Sequence, residues 1–260
     1  MSRLSIVIPA LNEEKFIPHL LASLAEQTKK DFEVVVVDGY STDRTVEVAR
    51  SFSSKLPALD VIVSQRAGLP LQRNLGARAT SGEWLVFIDA DNVLLPYFVE
   101  RLECFIDKEK PALFTSWFRP DSEASGDAFF TLISDLFVEG SLMFNRPIAP
   151  GPLTAVRRDV FERVAGYDES LTFGEDYDFT QRVTDLGIPL QILRETLFVL
   201  SLRRVRKLGK LRFSLLYARA ALLVLLTKRN LNKVPTYVMG GHLYDAKAGA
   251  LSEPQAVQEQ

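Results

Sequence analysis

Over roughly the first 90 residues the chain alternates between two hydrophobic patterns. Short, nearly continuous apolar runs at 4–8, 32–37, 61–63 and 84–88 read as buried strands. Between them, apolar residues recur at helical spacing. Phe16, Leu20, Leu21 and Leu24 mark one helix, with Asn12 placed to cap it. Val46 and Ala49 mark the next, with Ser41 or Thr42 as its cap. Pro70 opens a third, running to about Ala79. Strands alternating with helices predict an α/β fold with a mostly parallel, twisted sheet and right-handed crossovers.

Beyond Asn92 the alternation loosens. Residues 95–106 read as a helix, 112–118 as a strand, and 129–144 as a long apolar helix broken by Pro147, Pro150, Gly151 and Pro152. A strand at 154–156 leads into a helix at 159–164, and a further helix carries Phe179, Val183 and Leu186. No segment repeats.

Composition narrows the classes. With 260 residues, 47% of them hydrophobic, the chain can bury a large core. A net charge of −2 gives no reason to expect a nucleic-acid partner. Cys104 stands alone, which excludes an internal disulfide framework, and its apolar-periodic surroundings read as those of a buried packing thiol. The chain enters a strand directly after Met1-Ser2-Arg3, so no leader is expected. No uncharged apolar run reaches the ~18 residues of a spanning helix, so a cytoplasmic protein is expected. The polar end, 251–260, is expected to fray.

In sheets of this kind, ligands bind at the carboxyl ends of the strands. Polar groups stand at all four. The first strand ends at Pro9-Ala10-Leu11-Asn12-Glu13, the second at Asp38. The third leads to Gln65-Arg66 and then Arg73-Asn74, and the fourth runs into Asp89-Ala90-Asp91-Asn92. Two residues apart, Asp89 and Asp91 share one side of an extended chain, which suits a divalent cation and a diphosphate. A polar strand-to-loop junction is the competing reading. Acids at such an edge hold base, ribose or metal, and arginines face phosphate. Glu175, Asp176 and Asp178 crowd the start of a later helix, either to favour its dipole or to form a site. Several chemistries are disfavoured. No G-x-G-x-x-G follows the first strand, and no Walker A or G-x-S-x-G sequence occurs. Two histidines and one cysteine make a His/Cys zinc site a poor fit.

Taken in order, these segments resemble an inverting family 2 glycosyltransferase with the GT-A fold, over roughly residues 2–200. The resemblance is carried by Ile8-Pro9-Ala10-Leu11-Asn12-Glu13, by Val37-Asp38-Gly39-Tyr40-Ser41-Thr42-Asp43, and by Arg73-Asn74 with Gly76. The Asp89-x-Asp91 pair, Gly166-Tyr167-Asp168, and Gly174-Glu175-Asp176 with Arg182 complete it. It implies a Rossmann-like nucleotide-binding half over 1–95 and an acceptor and catalytic-base half over 96–200. In it, Asp38 contacts the nucleotide base, and Pro9, Leu11 and Glu13 line the pocket. Arg66 and Arg73 belong to the nucleotide-sugar site. Asp89 holds the ribose, and Asp91 binds a divalent Mn2+ or Mg2+ bridging the diphosphate. Asp176 is the general base, with Glu175 and Asp178 shaping its site, while Arg182 supports the loop. A late histidine completes the metal shell in some relatives, which nominates His242. Tyr40 and Arg44 stand where glycines are common. The Gln-x-x-Arg-Trp sequence of processive members is absent, which favours transfer of a single sugar. The rivals are a non-catalytic nucleotide-sugar-binding homologue and a nucleotidyltransferase. The intact Glu175-Asp176 pair speaks against the first, the missing glycine-rich first loop against the second.

Residues 201–260 form a separate extension. Arg203, Arg204, Arg206, Lys207, Lys210 and Arg212 make a cationic block without an acid, followed by an apolar segment at 213–226. Three readings stand: a solvated loop with a core or oligomer helix, a lid over the donor diphosphate, or a seat on anionic lipid through residues 203–229. With the apolar stretch at 129–144, the last would suit a lipid-linked or otherwise apolar acceptor.

Overall fold

The computed structural model describes residues 2–56, 58–143 and 146–210. Strands β1 (Leu4–Ala10), β2 (Phe32–Asp38), β3 (Leu59–Val63) and β4 (Trp84–Ile88) lie parallel, connected by α1 (Ile17–Ala25), α2 (Thr45–Arg50) and α3 (Leu69–Ala79). A two-residue strand β5 (Val93–Leu94) leads to α4 (Phe98–Glu109), β6 (Leu113–Pro120) and the long α5 (Ser125–Met143). Then come β7 (Leu153–Arg157), α6 (Arg158–Arg163), α7 (Glu175–Thr184), β8 (Leu190–Leu200) and α8 (Arg203–Leu208). All eight strands join one sheet in the order β3-β2-β1-β4-β7-β6-β8-β5. Beyond β4 the sheet is mixed: β7 runs antiparallel to both β4 and β6, and β5 antiparallel to β8.

The continuous apolar runs follow from burial of both faces. Alternate residues of β1 and β2 enter opposite cores. Ile6, Ile8, Val34 and Val36 pack with Leu20, Leu21, Phe98 and Leu102 of α1 and α4. Val7, Val35 and Val37 pack toward Ala77 of α3, Phe161 of α6 and Phe179 of α7.

Several local expectations are corrected. Asn12 does not cap α1. It lies in the left-handed region (φ 54°), and its Oδ1 accepts the Thr42 backbone N–H at 2.8 Å. Neither Ser41 nor Thr42 caps α2. The Ser41 backbone N–H donates to Asp38 at 2.8 Å, and Asp43 Oδ1 accepts the Thr45 N–H at 2.9 Å. These short polar side chains tie the loop after β1 to the loop after β2 instead of ending helices. Cys104 is exposed, because α4 turns Leu102, Glu103 and Ile106 inward. Helix α5 was expected from its apolar spacing, yet its buried residues are Asp127, Thr131, Val138 and Ser141. Phe129, Leu132, Ile133, Leu136, Phe137 and Met143 face outward. Strand β8 has no counterpart in the hydrophobic pattern. Its pairing with β6 slips at Ser116/Trp117 and again at Trp117/Phe118, which scrambles the alternation. The apolar segment at 213–226 and His242 lie outside the described residues.

Gly76 sets how closely α3 approaches the sheet. A Cβ there would lie 2.3 Å from Cγ1 of Val7 and 3.2 Å from methyls of Val35 and Val37. Gly76→Ala is therefore expected to destabilise by roughly 1–3 kcal/mol, although alanine is the better helix former. Urea unfolding measures this, and an unchanged midpoint would contradict the packing.

Candidate active site

The carboxyl edge of β1, β2 and β4 carries two groups of carboxylates, and one arginine fastens each. Gln72 of α3 first locks the edge itself. Its side-chain Nε2 donates to the carbonyls of Ala10 at 2.9 Å and Val37 at 2.7 Å, holding the ends of β1 and β2 together.

Arg73, the next residue, is 1% exposed. Its Nη1 donates to Glu175 at 3.1 Å, and its Nη2 donates to the Gly151 carbonyl at 3.2 Å and lies 3.6 Å from Asp89. The guanidinium lies over the Tyr167 ring, 5.0 Å from its centroid. One buried cation thus joins the end of β4 to the start of α7. Asp176 sits beside it, accepting the backbone N–H groups of Gly151 at 3.1 Å and Tyr177 at 2.8 Å. Burial pushes the Glu175 and Asp176 carboxyls above their usual range, while Arg73 pulls both down. Asn74 clamps the loop that precedes α7. Its amide donates to the Tyr167 carbonyl at 2.8 Å and accepts the Tyr167 N–H at 2.9 Å. Gly166 (φ 72°) must lack a side chain here, since a Cβ would lie 2.6 Å from the Asn74 Oδ1. Arg182 also serves this loop, donating to the carbonyls of Val164 at 2.6 Å and Gly166 at 2.7 Å and pairing with Asp178 at 2.7 Å.

The second group is Glu13 and Asp91, held by Arg203. The Arg203 Nη2 meets both Glu13 oxygens, at 2.6 and 2.8 Å, and lies 3.0 Å from Asp91. Its guanidinium stacks over Phe16, 4.0 Å from the ring centroid. Burial, opposed by Arg203, pushes the Glu13 carboxyl up to about 7 and raises Asp91 as well. The topology explains the encounter. Val93, two residues after Asp91, pairs with Val199 of β8, which delivers Arg203 to the edge four residues later.

Of the residues the sequence nominates, the fold gathers Asp89 and Glu175 round Arg73, with Asp176 beside them, and Glu13 and Asp91 round Arg203. Pro9 is buried at the end of β1, and Leu11 lies just beyond it. Asp38 is buried with its carboxylate engaged by Ser41. Arg66 is exposed and pairs with none of these carboxylates. Tyr40, 66% exposed, holds a φ of 71°, the region that favours the glycine common at this place. Arg203 and Gln72 were missed as site residues. Arg203 lay hidden in a block of like charges, and Gln72 has no signal beyond its place beside Arg73.

The matching family model, glycosyl transferase family 2, covers residues 5–165. The chain belongs to this family. An uncharacterized glycosyltransferase of Haemophilus influenzae is 31% identical over 68% of the chain and 60% of its own length. The glycosyltransferase AglE of Haloferax volcanii is 29% identical over 74% of the chain and 65% of its own length. The chain therefore spans somewhat under two thirds of these relatives. Among solved structures, the mannosyltransferase PcManGT of Pyrobaculum calidifontis, in complex with GDP-Man and Mn2+, superposes with a TM-score of 0.67. It is 22% identical, over 89% of the chain and 66% of its own. Staphylococcus aureus TarS 1-349 in complex with UDP-GlcNAc gives 0.62 at 24% identity, over 76% of the chain and 58% of its own. The fold of this family 2 member is accordingly the GT-A type.

A divalent cation fits the second group by its chemistry. Asp91 and Glu13 converge on one guanidinium, so the two carboxylates already share one positive charge. Among the described residues no group of three His, Cys, Asp or Glu could hold a metal. Two carboxylates with substrate phosphates completing the shell is a usual arrangement for a hard cation.

Removing the first clamp tests its weight. Arg73→Met is expected to cost roughly 3–5 kcal/mol at neutral pH. The sign of its pH dependence follows from linkage. Glu175 and Asp176 have raised folded-state pKa values, and without the guanidinium they rise further. The titration-linked part of the penalty is absent while both carboxyls stay protonated in the folded chain and grows as pH rises through the folded values, about 7 for Glu175. The loss should therefore shrink toward about pH 5 in urea titrations. A variant as stable as wild type at neutral pH would contradict the account.

Proposed function

We propose that this family 2 member is a glycosyltransferase that moves a single sugar, with inversion, from a nucleotide-diphosphate sugar to an acceptor hydroxyl, using Mn2+ or Mg2+. The observation that carries the reading is the bridging of Asp89 to Glu175 through the single buried guanidinium of Arg73, with Asp91 and Asp176 alongside. Donor-binding and proton-accepting carboxylates are thereby fixed relative to each other, as in-line displacement requires. The neighbours solved with UDP-GlcNAc and with GDP-Man and Mn2+ support a nucleotide-sugar donor and a divalent cation.

The roles follow from position. Pro9, Leu11 and Asp38 wall the base end, with Tyr40 exposed above it to cover the base. Asp89 takes the ribose. Asp91, with Glu13 beside it, would hold the cation, which supplies Lewis-acid stabilisation of the departing diphosphate. Arg66 is the exposed cation available to phosphate. Arg73 is enclosed, so it positions Asp89 and Glu175 instead of touching the donor. Asp176 accepts the proton of the acceptor hydroxyl as that oxygen attacks the anomeric carbon from the side opposite the leaving diphosphate, which inverts the centre. Its raised pKa makes it a stronger base than a free aspartate. Glu175 is bonded to Arg73 and shapes the base's surroundings.

Binding and donor hydrolysis across UDP-, GDP- and dTDP-sugars with Mn2+ or Mg2+ test the reading, and binding of none of them would sink it. Asp176→Asn is expected to keep donor binding and to lose transfer by about 100-fold or more. Asp91→Ala should lose metal-dependent nucleotide binding. Because the base must be ionised, kcat should fall as pH drops through the Asp176 pKa, with that limb above the usual aspartate range.

A peripheral seat on the inner face of a membrane belongs to the same proposal, and with it an apolar or lipid-linked acceptor. Among the described residues no helix is long and apolar enough to cross a membrane. Support comes from α5, whose outward stripe of Phe129, Leu132, Ile133, Leu136 and Phe137 suits lipid contact. Leu132→Glu with Leu136→Glu is expected to abolish flotation with anionic vesicles. Flotation equal to wild type would remove the lipid role of α5.

A further inference from the structure

Arg203 occupies the place where the donor site would take a cation. Three observations define it. The guanidinium bridges Glu13 and Asp91, its side chain is 11% exposed, and Phe16 backs it at 4.0 Å. Arg203 holds the Asp91 carboxylate through Oδ2, from Nε at 3.1 Å and Nη2 at 3.0 Å. A divalent ion on the same carboxylate would lie within a few ångströms of the guanidinium, and the two positive charges repel with little screening in a buried setting. Ion and guanidinium therefore compete for Asp91.

We propose that Arg203 is a built-in competitor of the divalent cation. It neutralises Glu13 and Asp91 while the donor site is unloaded, and it is displaced from Asp91 when the cation binds. The inference rests on the donor-site reading of Asp91 and adds a residue that sets metal affinity. Its consequence is quantitative: the apparent dissociation constant for the ion is raised by the reciprocal of the fraction of molecules whose Asp91 is released. The consequence is also structural. Arg203 opens α8, which is also held by buried Val205 and by the pairing of Arg206 with Asp121 and Asp127, with Lys210 on Asp127 just beyond it. Displacement at Asp91 removes one tie at the start of α8, while Arg206 still pins the helix to Asp127 of α5.

Titration of the full chain with MnCl2, followed by the electron paramagnetic resonance signal of free Mn2+ and by the Mn2+-induced rise in Tm, tests this directly. Arg203→Gln is expected to bind Mn2+ about tenfold more tightly than wild type or better. It should also show the larger Tm rise, because the ion now relieves two unpaired buried carboxylates. Arg203→Lys keeps one charge without the two-pronged geometry and should fall between the two. Arg206→Gln loosens the same helix without touching Asp91 and should stay within about twofold of wild type. Equal or weaker Mn2+ binding by Arg203→Gln would overturn the proposal. So would an equal gain in Arg206→Gln, which would assign the effect to helix loosening. If neither wild type nor Arg203→Gln binds Mn2+, with or without UDP or GDP, the assignment of Asp91 to the cation fails and the competition falls with it. Mn2+ binding that is the same in both overturns the competition alone.

Discussion

A guanidinium with almost no exposed surface cannot stay charged inside a protein without partners, and Arg73 has them from three separate parts of the chain. Asp89 arrives at the end of β4, Glu175 at the start of α7, and the Gly151 carbonyl from the turn before β7. The sheet, the 147–152 segment and α7 must all be in place before that charge is satisfied. The same bonds fix the end of β4 relative to the start of α7, where Asp176 stands. The cost is also local. Two carboxyls with raised pKa values are kept beside each other, and Arg73 beside them pulls both back down.

Arg203 repeats the device at the neighbouring pair, with a difference that matters for chemistry. Arg73 is enclosed by backbone, ring and carboxylates, whereas Arg203 enters from a six-residue helix at the end of the described chain. The first arginine is a permanent part of the frame. The second stands on a short helix whose buried residue is Val205. The β5–β8 pairing accounts for its position, since it brings the segment after β8 directly to the residues that follow Asp91.

Much of the first part of the chain, 1–95, was legible in the sequence, because β1, β2 and β4 are buried on both faces and their apolar runs end sharply in polar residues. The convergence of Asp38, Asp89 and Glu13 followed from parallel pairing alone. The remainder was hidden for physical reasons. Strand β8 slips its register twice against β6, so no period-two pattern marks it. Asn12 and Ser41 looked like helix caps because the residue types that cap helices also brace loops. The direction of α5 could not be read, since apolar spacing gives a stripe and not what it faces. Arg203 was one cation in a run of them, and its partners lie 112 and 190 residues away.

The central claim is that Asp91 and Asp176 stand on opposite sides of one reacting centre. A crystal structure of the full chain with a nucleotide-diphosphate sugar and Mn2+ tests it most directly. The expected result is the ion about 2.0–2.2 Å from an Asp91 oxygen and from the diphosphate, with the anomeric carbon turned toward Asp176. A nucleotide bound away from the β1–β4 edge, or an anomeric carbon shielded from Asp176 by protein, would contradict it.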